Sequence, residues 1–180
     1  MPPLTHPFAP IFNANSRVLI LGSFPSPASR ANYYYGHPQN RFWKTLAELF
    51  NCPQPAPDRE SKRNFILSHN LALWDVLHSC EITGADDNTI RNPIPNKFQP
   101  ILAKSQICTI FTNGKKATEL FQKLCAEEAG QNSIYLPSTS PANRAQQNKP
   151  EFMNLWREIT KNSSTRPLSP NALPLQTLLA

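Results

Sequence analysis

Three stretches of this chain carry side chains able to do chemistry, and each lies in or just after an apolar run. The first is Gly22-Ser23-Phe24-Pro25-Ser26, which continues through Tyr33-Tyr34-Tyr35-Gly36-His37-Pro38-Gln39 to Asn40. The second is a single carboxylate, Asp75, set between Trp74 and Val76 inside the apolar run Leu71–Leu77. The third is the hydroxyl-rich stretch Pro137-Ser138-Thr139-Ser140-Pro141-Ala142-Asn143-Arg144. A carboxylate in an apolar run must sit near a surface, be paired, or work on a ligand, because burying an unpaired charge is costly. An ion pair with an arginine is the plain alternative. Neighbouring aromatics in an extended segment point to opposite faces, so at least one tyrosine ring is expected to be free to stack on a flat ligand. Asn113-Gly114 reads as ordinary turn chemistry, and by composition Ser138–Arg144 is equally a binding loop or a capped turn. His37 reads as a turn residue, His69 and His78 as incidental. The chain has no Ser/His/Asp triad order, no Walker lysine loop and no Gly-x-Gly-x-x-Gly.

The elements that must position these groups follow from periodicity. Val18-Leu19-Ile20-Leu21, bounded by Gly22, predicts a strand over Arg17–Leu21 buried on both faces. Phe42, Trp43, Leu46, Leu49 and Phe50 recur at helical spacing, predicting a helix from about Asn40 that ends before Pro53. Asp58 is expected to cap a helix to about Ser68. Leu71–Leu77 is expected as the second strand and His78–Pro95 as a long polar loop. Asn96 is expected to cap a short helix through Ala103. Gln106–Thr112 is the third strand; the helix after it ends at Gly130 as a C′ glycine. Asn132–Leu136 is the fourth strand. Asn148, Pro150 and Glu151 open the last helix, with Phe152, Leu155, Trp156 and Ile159 on its core face.

Strand–loop–helix units in this order predict the α/β class: a single three-layer α/β/α domain with a central four-stranded parallel sheet. The expected organisation is an extended arm over 1–16, the domain over 17–162 and a loose Pro/Leu-rich tail over 163–180. Polar loops at the C-terminal ends of parallel strands share one edge of the sheet, so Gly22–Asn40, Asp75, Asn113-Gly114 and Ser138–Arg144 are expected to converge there.

The chain has 180 residues, enough for one two-sided core. Hydrophobic content of 39% and a mean hydropathy of −0.44 describe a soluble protein. The net charge of +6 is compatible with a nucleic-acid partner but does not establish one. The four cysteines lie far apart with no Cys-x-x-Cys pair, which disfavours a zinc ribbon or a disulfide scaffold and suggests buried reduced thiols. The N-terminus lacks the charged and apolar regions of a signal peptide, and no apolar run is of membrane-spanning length, so a cytoplasmic location is expected.

The blocks Gly22-Ser23-Phe24-Pro25-Ser26 and Tyr35-Gly36-His37-Pro38-Gln39-Asn40-Arg41-Phe42-Trp43 resemble the uracil-DNA glycosylase superfamily, and within it the hypoxanthine-DNA glycosylase family. Leu73-Trp74-Asp75-Val76-Leu77 and Ser138-Thr139-Ser140-Pro141-Ala142-Asn143 are similar to later blocks of the same families. The resemblance runs in order from about Val18 to Ile159. It implies a monofunctional DNA glycosylase for deaminated bases, hypoxanthine first, acting on double-stranded DNA without metal or organic cofactor, and a monomer is expected. Where the wider superfamily carries a water-positioning Asp or Asn this chain has Phe24, and the resemblance transfers that role to Asn40. It further implies base contacts from Gly22, Ser23, Phe24, Tyr35, Asp75 and Asn113. DNA contacts are implied for Pro25, Ser26, Ser138, Thr139, Ser140, Pro141, Ala142, Asn143 and Arg144. Ala142 takes the place of the usual wedge leucine, leaving Asn143 or Arg144 to fill the gap of an extruded nucleotide. The alternatives are a uracil- or mismatch-specific glycosylase and a catalytically silent DNA- or nucleotide-binding module on the same fold.

Overall fold

The structure is a computed structural model that describes residues 1–164. The chain begins with β1 (Leu4–Thr5) and β2 (Val18–Gly22), followed by helices α1 (Pro27–Asn32), α2 (Phe42–Leu49) and α3 (Arg59–Ser68). Then come β3 (Leu71–Asp75), β4 (Leu77–Thr83), β5 (Asp86–Pro95), α4 (Gln99–Ala103) and β6 (Thr109–Asn113). The remainder is α5 (Lys115–Leu124), α6 (Ala126–Ala129), β7 (Ile134–Leu136), α7 (Arg144–Gln147), α8 (Pro150–Trp156) and α9 (Glu158–Ser163). The expected tail lies, from residue 165 on, outside the described residues.

The parallel sheet is present, in the order β3-β2-β6-β7. Its central strand β2 is buried at every position, which is why its sequence runs apolar without alternation. One face packs on Phe42, Leu46, Phe65 and Trp156; the other on Phe98, Leu120 and Phe121, so helices cover both sides. Local signals hold where the chain itself satisfies them. Asp58 Oδ1 accepts from Ser61 N at 2.7 Å at the start of α3, and Gly130 takes the left-handed conformation at the end of α6.

The largest departure is residues 78–95. They are not a loop: β4 and β5 form an antiparallel hairpin, and β1 from the N-terminal arm adds to β4, giving a second sheet in the order β1-β4-β5. Pro93, Pro95, Gly84 and several charges hid it; prolines are tolerated because β5 lies at the sheet edge and its pairing is bulged. The expected strand Leu71–Leu77 is divided at Val76, where the chain leaves one sheet for the other. Asn96 does not cap a helix: it is buried and donates from Nδ2 to the Asp75 carbonyl at 2.9 Å, bracing the end of β3. Of the thiols, Cys80 and Cys125 are buried, whereas Cys52 is half-buried and Cys108 exposed.

Candidate active site

The order β3-β2-β6 means that the connection after β3 must cross back over β2, which makes the β2/β6 boundary a topological switch point. A cavity of about 320 Å³ opens there. Its walls are Gly22, Ser23, Phe24, Pro25 and Ser26 after β2, Asp75 at the end of β3, Asn113 at the end of β6, and Ser138, Thr139, Ser140, Pro141 and Ala142 after β7. Tyr35 and Asn40, from the connection between β2 and α2, complete the convergence expected from the sequence. Asn143 and the exposed Arg144 stand just outside that lining.

Strand register brings Gly22 and Asp75 side by side. A Cβ on Gly22 would meet Asp75 Oδ1 at 2.5 Å and the Tyr35 hydroxyl at 2.9 Å, so only glycine leaves both oxygens where they are. Asp75 is buried, and its partner is not an arginine: Oδ2 lies 2.6 Å from Nε2 of His6, a buried residue of the N-terminal arm. His6 Nδ1 in turn accepts from Phe8 N at 3.1 Å.

The tyrosines also differ from expectation. Tyr33 and Tyr34 are both buried, because Tyr33 (φ 75°) and Tyr35 (φ 51°) are left-handed and the segment is not extended. Such φ values are strained for bulky residues, at about 1–3 kcal/mol each, and the turn is held by its surroundings. Trp43 Nε1 and Lys62 Nζ both donate to the Tyr34 carbonyl, at 3.0 and 3.1 Å. Tyr35 stacks on Phe42 with centroids 3.9 Å apart, so one ring face is spent on the core. Its hydroxyl is buried, and among the described residues no group accepts its proton. Burial and the nearby Asp75 charge push this phenol far above its ordinary pKa, with the Asn113 amide partly offsetting them.

Asn40 sits two residues before α2, and its Oδ1 accepts from Phe42 N at 3.0 Å, fixing the amide in place. Asn113 is more than a turn residue. Its Nδ2 donates to Thr139 Oγ1 at 3.0 Å and its Oδ1 accepts from Thr139 N at 3.1 Å, tying the loop after β7 to β6. Ser138 Oγ and Ser140 Oγ accept from the N–H groups of Ser140 and Ala142, which leaves each hydroxyl proton free to donate. Asn143 donates back to the Ser138 carbonyl at 3.0 Å, and Trp156 Nε1 to the Pro137 carbonyl at 2.9 Å.

The sequence reading missed several residues at the site, among them His37, which lines the cavity, and two that hydrogen-bond to its polar groups, His6 and Asp87. His6 was hidden in a proline-rich arm, and its only signal was the set of apolar residues, Phe8 and Ile11, that dock the arm. Asp87, from β5, lines the cavity and accepts from Ser23 Oγ at 2.6 Å. Burial raises its pKa most, with the Asp75 and Asp86 charges adding, while the Ser23 hydroxyl and Lys116 work against the shift. The pair Asp86-Asp87 reads locally as an exposed turn. Among the described residues no three His, Cys, Asp or Glu side chains group as metal ligands, and no helix is long and apolar enough to cross a membrane.

An open parallel sheet with a ligand cavity at its switch point, walled by an aromatic turn, a strand-end carboxylate and a hydroxyl loop, is the architecture this chain shares with a known group. The chain belongs to the uracil DNA glycosylase superfamily, whose family model matches residues 9–160 and so takes in β2 to β7. It is similar to a protein of Methanosarcina barkeri named hypoxanthine DNA glycosylase, at 32% identity over 76% of this chain and 87% of the relative. A protein of Methanosarcina acetivorans with the same name is 34% identical, again over 76% of this chain and 87% of its own. The solution NMR structure of a candidate uracil DNA glycosylase from Methanosarcina acetivorans superposes with a TM-score of 0.69 at 30% identity, covering 84% of this chain and 96% of that one.

Proposed function

We propose that this protein is a monofunctional DNA glycosylase that releases deaminated bases, hypoxanthine foremost, from double-stranded DNA in base excision repair. The observation that carries the reading is the convergence of Asn40, Asp75 and the Ser138–Ala142 loop, distant in sequence, on one cavity at the sheet edge. The names of the two Methanosarcina relatives support hypoxanthine as the base. A target base inside the stack must be extruded into the cavity, at a cost of roughly a few kcal/mol that is smallest for mispaired bases. Phe24 offers its ring to the flipped base, Asp75 reads the base edge, and Asn113, tied to Thr139, lines the same cavity. The free hydroxyl protons of Ser138 and Ser140, with the turn at Pro25-Ser26 and the Thr139–Pro141 backbone, hold the phosphates. Arg144, exposed beside the loop, is suited to the gap left by the nucleotide, since the Asn143 amide is already engaged.

Hydrolysis breaks the bond between C1′ and the base nitrogen, whose electron pair leaves with the base. Positive charge builds on the sugar, a water oxygen bonds to C1′, and the water's proton balances the departing base. Asn40 is an amide and no strong base. With one lone pair of its oxygen engaged by Phe42 N–H, its remaining polar groups orient the water and stabilise the dissociative transition state. Among the described residues that line the cavity there is no lysine to attack the sugar, and in this reading release stops at the abasic site. The enzyme acts in this reading as a cytoplasmic monomer.

Incision assays on duplexes carrying a single hypoxanthine, uracil or xanthine, with alkali to cut abasic sites, test the reading. Hypoxanthine is expected to be released fastest. Faster release of uracil would move the assignment to a uracil-specific enzyme, and release of none to a silent DNA-binding module.

A further inference from the structure

The buried pairing of His6 with Asp75 has a definite polarity. Because His6 Nδ1 accepts from Phe8 N, a proton there would face another N–H; the imidazole proton therefore sits on Nε2 and is donated to Asp75 Oδ2. One carboxylate oxygen is thus committed. The other, Oδ1, lies over Gly22 next to the Tyr35 hydroxyl; the two oxygens are 2.5 and 2.9 Å from a single point on the cavity wall. The hydroxyl is buried and, among the described residues, no protein group accepts its proton; with the phenol's pKa raised it stays a donor. An acceptor and an unpartnered donor side by side match one kind of ligand edge, a ring N–H beside a carbonyl.

We propose that Tyr35 and Asp75 form a reader for the lactam edge of a deaminated purine, and that His6 is the positioning residue fixing its polarity. Tyr35 donates to the C6 carbonyl and Asp75 Oδ1 accepts from N1–H, while His6 touches no ligand. Adenine presents the reverse pattern, an amino group at C6 and a lone pair at N1, so the carboxylate would face a lone pair. Sites built to hydrogen-bond a group reject ligands lacking it by factors of up to roughly 10⁴. The pair thereby separates the deaminated base from its parent, and it rests on the base-binding cavity proposed above.

The test is binding to duplexes holding non-hydrolysable 2′-fluoro analogues of deoxyinosine or of deoxynebularine, a purine lacking both lactam groups. The unmodified protein is expected to prefer the deoxyinosine duplex by about tenfold or more, one to two hydrogen bonds' worth. Tyr35→Phe removes one buried hydroxyl whose proton no described protein group accepts, so the fold is retained, and it should lower that preference about tenfold. His6→Phe should lower it similarly while leaving affinity for the deoxynebularine duplex unchanged. His6→Gln, whose amide can donate to the same oxygen, should restore most of it. An unchanged preference in Tyr35→Phe, or equal loss in His6→Phe and His6→Gln, would overturn the proposal. Failure of the enzymatic reading appears separately, as no base released from cleavable deoxyinosine DNA by the unmodified protein.

Discussion

The two sheets furnish the same cavity by different means. The parallel sheet contributes residues that end its strands or follow them closely: Gly22, Asp75, Asn113 and the Ser138–Ala142 loop. Parallel strands share a direction, so their C-terminal ends share an edge, and placement follows from chain order. The antiparallel sheet contributes His6 just after β1 and Asp87 near the tip of the β4–β5 hairpin. Their side chains hydrogen-bond to polar groups of the first set, Asp75 and Ser23. In the proposed reading one sheet presents the chemistry and the other braces it, a division that gives different consequences when each is disturbed.

The largest effect is expected on the parallel side. Asn40→Ala should lower single-turnover base release by about a thousandfold or more while lesion-DNA affinity changes by about tenfold at most, because its contribution is to the transition state. Near-normal release would remove Asn40 from the mechanism. Gly22→Ala comes next, since the new methyl has to displace Asp75 Oδ1, whose partner oxygen His6 holds. A stability loss of about 1–3 kcal/mol together with loss of the deoxyinosine preference is expected, measured by denaturant melts and binding. A Gly22→Ala protein with normal preference would show that the brace is slack.

Asn113→Ala should be milder: it unties the loop after β7 by removing two hydrogen bonds to Thr139, at about 1–3 kcal/mol. Weaker binding to all duplexes, damaged or not, would follow, whereas a selective loss for one base would give Asn113 a direct reading role.

The smallest effect is on the bracing side. Burial makes the Asp87 carboxyl harder to ionise in the folded protein than in the unfolded chain. The folded state therefore binds this proton more tightly, and ionisation of Asp87 subtracts stability as pH rises through the interval above its unfolded pKa. Asp87→Asn, which keeps an oxygen for Ser23, is expected to be more stable than the unmodified protein at neutral pH. That advantage should shrink as pH falls toward the ordinary carboxylate range. Thermal melts across pH 4 to 8 would check it, and an advantage growing toward acid would contradict the sign.

What the sequence by itself determined are the features whose causes are local. The uninterrupted apolar run of β2 requires burial on both faces, and the amphipathic spacing of α2 and α5 requires a sheet to pack on. Asp58 and Gly130 act on backbone groups within a few residues of themselves, so their roles are readable from neighbours alone. Convergence of Asp75, Asn113 and the hydroxyl loop also followed, because parallel strands connected by helices have almost no freedom in where their ends lie. What only the tertiary structure decided depends on contacts across long stretches of chain. The hairpin of β4 and β5 has little alternation to announce it, and its pairing is stabilised by a strand some seventy residues earlier, with Leu4 opposite Cys80. His6 finds Asp75 through that same pairing. The inward turn of all three tyrosines depends on left-handed backbone that Trp43 and Lys62 hold in place. Trp43 stands nearby in sequence, but Lys62 is 28 residues from Tyr34 and His6 is 69 from Asp75, and that separation is why the second half of the site could not be read from local sequence.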